Sequence, residues 1–113
     1  MKFVALAALA AALAVPAAFA GTTTLTGTDG PGFTITLTKG STKVTKLKAG
    51  TYKIVVADKS SSHNFHLKGP GVNKLTSVPA VGTFRWTVKL QKGTYTFVCD
   101  PHKTIMHGVL KVT

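Results

Sequence analysis

Thr94-Tyr95-Thr96-Phe97-Val98-Cys99 sets Tyr95, Phe97 and Cys99 against Thr94, Thr96 and Val98, the two-residue period of a strand with one buried face. The pattern recurs upstream. Phe33, Ile35 and Leu37 alternate with Thr34, Thr36 and Thr38, and Phe84, Trp86 and Val88 alternate with Arg85, Thr87 and Lys89. Further strands are expected over residues 42–47, 52–57, 63–67 and 109–113, with a weaker one near 22–28. Between them lie turn-forming stretches: Asp29-Gly30-Pro31-Gly32, Lys39-Gly40, Ala49-Gly50, Gly69-Pro70-Gly71 and Lys92-Gly93. No stretch after residue 21 keeps a helical period. The expectation is an all-β, antiparallel Greek-key sandwich of seven or eight strands.

An internal echo supports this. Leu47-Lys48-Ala49-Gly50-Thr51-Tyr52 parallels Leu90-Gln91-Lys92-Gly93-Thr94-Tyr95. In each copy a turn enters a strand on a tyrosine. That placement suits a tyrosine corner, whose hydroxyl bonds backbone a few residues upstream.

Residues 1–20 combine Lys2, an apolar Ala/Leu/Val run and the small-residue ending Ala18-Phe19-Ala20, the pattern of a secretory signal peptide cleaved after Ala20. A membrane anchor needs about 20 strongly apolar residues, whereas this run is mostly Ala and holds Pro16. Residues 21–113 then form one domain, exported to the periplasm or secreted and without stable membrane insertion. Its 13 Lys and Arg stand against Asp29, Asp58 and Asp100, a net charge of +10. The lysines are scattered along Thr-rich segments, with no run or helical face for nucleic acid to read, so the charge favours acidic partners instead. The chain is expected to be a monomer.

The single cysteine, Cys99, has no partner for an intramolecular disulfide, and ligation of a metal would protect its thiol from oxidation. Its neighbours point the same way. Cys99-Asp100-Pro101-His102-Lys103-Thr104-Ile105-Met106 places a thiolate, an imidazole and a thioether within eight residues, in the loop before the final strand. These soft and intermediate donors select copper over magnesium, calcium or manganese. A second imidazole is offered by Ser61-Ser62-His63-Asn64-Phe65-His66-Leu67. Strand alternation puts His63 on the side of Phe65 and Leu67 and turns His66 outward, so His63 is the candidate ligand. Asn64, facing away, is positioned to bond the backbone of the Cys99 loop. Zinc fits less well, because structural zinc sites take four strong ligands and a thioether is a poor one. Hydrolytic Cys/His catalysis would need an oxyanion hole as well as a nucleophile and base, and three acids leave little for acid–base work. The chain does not read as an enzyme.

The Cys99-x2-His102-x3-Met106 loop, the upstream His63-Asn64 and the single β domain resemble the plastocyanin-like cupredoxins, particularly short bacterial ones. The resemblance spans residues 21–113. It implies a type 1 (blue) copper site with one ion cycling between Cu(I) and Cu(II). His63, Cys99 and His102 would be equatorial, Met106 axial, and the function electron carriage between redox proteins. His107, next to Met106, is the alternative axial donor. Electrons would pass through the edge of His102, with Pro101, Ile105, Pro70 and Val72 as the docking patch. The alternative function is a copper carrier or storage protein with no electron-transfer role.

Overall fold

The computed structural model describes residues 22–113; the expected signal peptide lies outside the described residues. Ten strands follow in order: β1 (Thr23–Asp29), β2 (Ile35–Lys39), β3 (Thr42–Lys43), β4 (Lys46–Leu47), β5 (Gly50–Asp58), β6 (His66–Gly69), β7 (Val72–Leu75), β8 (Gly82–Leu90), β9 (Gly93–Val98) and β10 (His107–Val112). They make two five-stranded sheets, ordered β3-β2-β1-β5-β8 and β4-β10-β9-β6-β7. The inward faces carry Leu25, Leu37, Ile54, Val56, Leu67, Val88, Tyr95, Phe97 and Leu110 as a common core. Threonine is the commonest strand residue, and its branched side chain, like those of valine and the aromatic residues, packs well on a pleated, half-buried surface.

Three features differ from the sequence expectation. The sheets are mixed rather than purely antiparallel, since β1 runs parallel to β5 and β10 runs parallel to β4. The run expected as one strand over residues 42–47 is two: Val44 turns into the core, and the chain leaves β3 in the first sheet for β4 in the second. The pair Val72–Leu75, after the Gly69-Pro70-Gly71 turn, is an extra edge strand beside β6.

Both tyrosines close corners. The Tyr52 hydroxyl donates to Lys48 O at 2.7 Å. That of Tyr95 accepts from Gln91 N–H at 2.8 Å and donates to Pro70 O at 2.6 Å. The second corner ties the β6–β7 turn to the start of β9. Gly27 on β1 lies under the Phe65 ring, where a Cβ would stand 2.7 Å from Cζ. Phe65 in turn stacks on Phe97, with centroids 5.8 Å apart and planes 6° apart. The absence of a side chain at Gly27 therefore lets the segment bearing His63 settle deep between the sheets.

Candidate metal centre

One end of the sandwich gathers the ends of β1, β5 and β9 with the starts of β2, β6, β8 and β10. Cys99 follows β9 directly and is fully buried. The chain then makes a 3-10 turn over Asp100–His102 with Pro101 inside it. His102 N–H donates to Cys99 O at 3.0 Å, Met106 N–H to His102 O at 2.8 Å, and Cys99 N–H to Met106 O at 3.0 Å. These bonds close the loop on itself and return His102 to the side of Cys99.

His63 arrives from the crossover between β5 and β6. The strand expected over residues 63–67 begins only at His66, so His63, Asn64 and Phe65 belong to the crossover, and all three are buried. His63 N–H donates to Ser60 O at 3.2 Å. His63 Nδ1 and His102 Nδ1 are 3.2 Å apart, and Cys99 Sγ lies 3.7 Å from the first and 3.5 Å from the second. A triangle with these three sides has its equidistant point about 2.0 Å from each donor, the length of a metal–imidazole bond and slightly short of a metal–thiolate bond. Among the described residues this is the one group of three or more His, Cys or acidic side chains arranged to hold a metal ion.

The donors fit copper by type as well as by spacing. Two imidazoles and one thiolate in a trigonal set, with room for a weak fourth donor, are the ligands of a blue-copper centre. Burial pushes the Cys99 thiol up from its ordinary pKa, while backbone N–H groups of Asn64 and His102 directed at the sulfur pull the other way. A metal ion arriving there takes the place of the thiol proton.

The surrounding hydrogen bonds lock the ligand segments together. Asp100 N–H donates to Asn64 Oδ1 at 2.7 Å, the tie to the Cys99 loop expected of Asn64. Asn64 Nδ2 also donates to Asp100 Oδ2 at 2.9 Å and to Thr76 O at 3.1 Å. Thr76, absent from the sequence reading, is buried; its hydroxyl accepts from Phe65 N–H at 3.0 Å and donates to Asp58 Oδ2 at 3.1 Å. His66 turns away from the metal donors, as expected, and its Nδ1 meets Asp100 at 2.9 Å while Nε2 lies 2.6 Å from Asn73 Oδ1. Burial raises the Asp100 pKa, but the hydrogen bonds from Asn64 and His66 outweigh it and hold the carboxyl below its ordinary value.

Met106 is fully buried beside this loop. His107 is exposed, and its Nδ1–H donates to Lys103 O at 2.9 Å. Phe33, expected in the core from its alternation with Ile35 and Leu37, is instead 61% exposed. Its ring stands against His63 and His102, tilted to the first and edge-on to the second, with centroids 5.5 Å and 5.1 Å away. The expected docking patch also needs correction. Pro101 and Ile105 are exposed at the metal end, but Pro70 packs on Gly93 and Tyr95 and Val72 begins β7, both at the opposite end of the strands.

Asp29 and Asp58, two of the three acids in the chain, face each other at the ends of β1 and β5 and are both buried. Asp58 accepts from Thr76 Oγ1 and from Ser60 N–H, whereas no N–H donor reaches either carboxyl oxygen of Asp29. Burial first, then Asp58 as neighbour, push Asp29 up to about 7. The sequence signal was the rarity of acids in so basic a chain.

Comparison of sequences finds no match among curated proteins. The fold is similar to that of reduced rusticyanin at 24% identity and a TM-score of 0.62, covering 81% of this chain and 79% of that one. Rusticyanin from Thiobacillus ferrooxidans in a second structure gives a TM-score of 0.56 at 24% identity over 81% and 77%. Auracyanin A, a blue copper protein from Chloroflexus aurantiacus, gives 0.52 at 19% identity over 82% of this chain and all of that one. The profile of the cupredoxin-like domain matches residues 3–112, and the chain belongs to that family.

Proposed function

We propose that this protein is an exported type 1 copper protein that carries single electrons between redox proteins. The observation that carries the reading is the triangle of His63 Nδ1, Cys99 Sγ and His102 Nδ1, with sides between 3.2 and 3.7 Å, held at the end of a rigid sandwich. These three would hold one copper ion, and the Met106 thioether would be the weak further donor. Burial of Met106 and the engagement of His107 with Lys103 O favour the thioether over the third imidazole. Copper bound there supplies a one-electron couple.

The chain's own contribution is to keep the donors still. Asn64 pins the His63 crossover to the Cys99 loop from both ends of its amide, and the 3-10 turn fixes His102 relative to Cys99. Ligands that do not move between oxidation states keep the cost of electron transfer low. Electrons leave through His102, which is only partly buried and is bordered by exposed Phe33, Pro101 and Ile105. A redox partner meets that apolar rim, and the net charge steers an acidic one towards the domain at long range.

The test is the visible spectrum of residues 21–113 titrated with Cu(II). One equivalent should produce an intense thiolate-to-copper charge-transfer band, and Cys99→Ser should remove it. Copper binding without such a band, or a band that survives Cys99→Ser, would refute the site.

A further inference from the structure

Charge in this domain is sorted along the strand axis. All three acids of the chain, Asp29, Asp58 and Asp100, sit at the metal end, where two are buried and the third is held by Asn64 and His66. The opposite end carries Lys39, Lys46, Lys48, Lys89, Lys92 and Lys111, all exposed, on the ends of β2, β8 and β10, the short β4 and the turns after β4 and β8, while the metal end has the exposed Lys59 and Lys103 beside its acids. None of the three acidic side chains lies at that end to pair with them. Lys46 and Lys111 are register partners on adjacent parallel strands, a like-charge juxtaposition that is unfavourable unless an anion relieves it.

Apolar surface is sorted the opposite way. Phe33, Leu75, Val81 and Ile105, four of the five exposed large hydrophobic residues, border the metal end, and the fifth, Val109, is midway along β10. Specific protein interfaces are built on buried aromatic and apolar anchors and are depleted in lysine. The lysine end offers flexible point charges set among threonines and no such anchor. That composition suits an anionic surface without fixed stereochemistry, which lysines contact through many interchangeable headgroups.

We propose that the lysine end is a docking surface for an anionic lipid bilayer, to which the domain adsorbs peripherally with its metal end pointing away. Two ends then serve two contacts: lipid phosphates hold the basic one, and the apolar one stays free. No helix among the described residues is long and apolar enough to cross a membrane, and the exposed lysines act by adsorption to the bilayer surface. Only the benefit of this orientation rests on the electron-carrier reading; the adsorption itself does not involve the metal.

The experiment uses residues 21–113, which contain both sheets and the whole candidate site, in flotation assays with vesicles of phosphatidylcholine alone or with one-third phosphatidylglycerol. Binding is expected to the anionic vesicles only and should vanish in about 0.5 M salt, where screening shortens to a few ångströms. The triple variant Lys46→Glu, Lys92→Glu, Lys111→Glu should bind at least about tenfold more weakly. Lys59→Glu, Lys74→Glu, Arg85→Glu makes the same change in net charge nearer the metal end or mid-strand and should retain most of the binding. Far-ultraviolet circular dichroism confirms folding of each variant, and Cys99→Ser should bind vesicles as wild type does, which separates this proposal from the copper reading. Failure to bind anionic vesicles, or equal weakening by the two triple variants, overturns it. So does binding of a DNA fragment through the same lysines with none to vesicles.

Discussion

Asp29→Asn should make this protein more stable at neutral pH, against the usual outcome of changing a buried residue. Asp29 and Asp58 are paired in register on parallel strands with 0% and 2% exposure. As two carboxylates they have nothing to exchange but repulsion; with one proton between them, Asp29 can donate to Asp58, whose oxygens already accept from Thr76 and Ser60. Asp29 is accordingly raised from 3.8 to about 7 by burial and by its neighbour. The folded state holds this proton up to about pH 7, whereas the unfolded chain releases it near pH 4, so stability falls as pH rises between those values. The rise from 3.8 to about 7 sets an upper bound of about 4 kcal/mol lost by pH 8. Asparagine keeps the shape, places an amide donor towards Asp58 and has no proton to lose. Urea unfolding of copper-free wild type and Asp29→Asn, followed by circular dichroism from pH 4.5 to 8, isolates the effect. The curves should nearly coincide at pH 4.5 and diverge to roughly 2–4 kcal/mol in favour of the variant at pH 8. A variant less stable than wild type at pH 8, or a difference that does not change with pH, would refute the shared proton.

Three further outcomes follow from the geometry. His66→Ala should leave the copper charge-transfer band in place, because the ring faces Asp100 and Asn73, while lowering stability by about 1 kcal/mol for the lost hydrogen bonds in a urea titration; loss of the band would place His66 among the ligands. Met106→Leu should keep a thiolate-dominated spectrum and raise the potential in cyclic voltammetry, with His107→Ala changing little, and the reverse pattern would make His107 the axial donor. Gly27→Ala should cost roughly 1–3 kcal/mol by forcing a methyl against the Phe65 ring, 2.7 Å from Cζ; an unchanged urea midpoint would mean that Phe65 is free to shift.

Local rules were enough for a large part of this protein. Side-chain alternation marked most of the strands, since a strand with one buried face must repeat every two residues whatever it pairs with. Turn residues and the two Gly-Thr-Tyr entries marked the corners, and both tyrosine hydroxyls do bond upstream backbone. The Cys99 to His102 loop was legible because its donors are close in sequence. Alternation with Phe65 and Leu67 favours His63 over His66, and the fold does bring His63 to Cys99 and His102, although through a buried crossover in which Asn64 is buried as well, and not through a strand.

What escaped depends on distances between segments that alternation does not encode. A pattern of period two says which face is buried but not which strand lies alongside or in which direction, so the parallel pairing of β1 with β5 and the passage from β3 to β4 between sheets could not be read. Phe33 fits the alternation of its neighbours, yet it lies before β2 begins, and only the proximity of the β1–β2 loop to both histidines turns it over their rings. Pro70 and Val72 were assigned to the wrong end because the direction of β6 and β7 relative to β9 was unknown. Asp29 and Asp58 are 29 positions apart and carry no motif; the parallel register makes them a pair. The gathering of lysines at an end without acidic side chains is likewise invisible in the sequence, where they are scattered, because successive strands reverse direction and the fold decides which turns share an end.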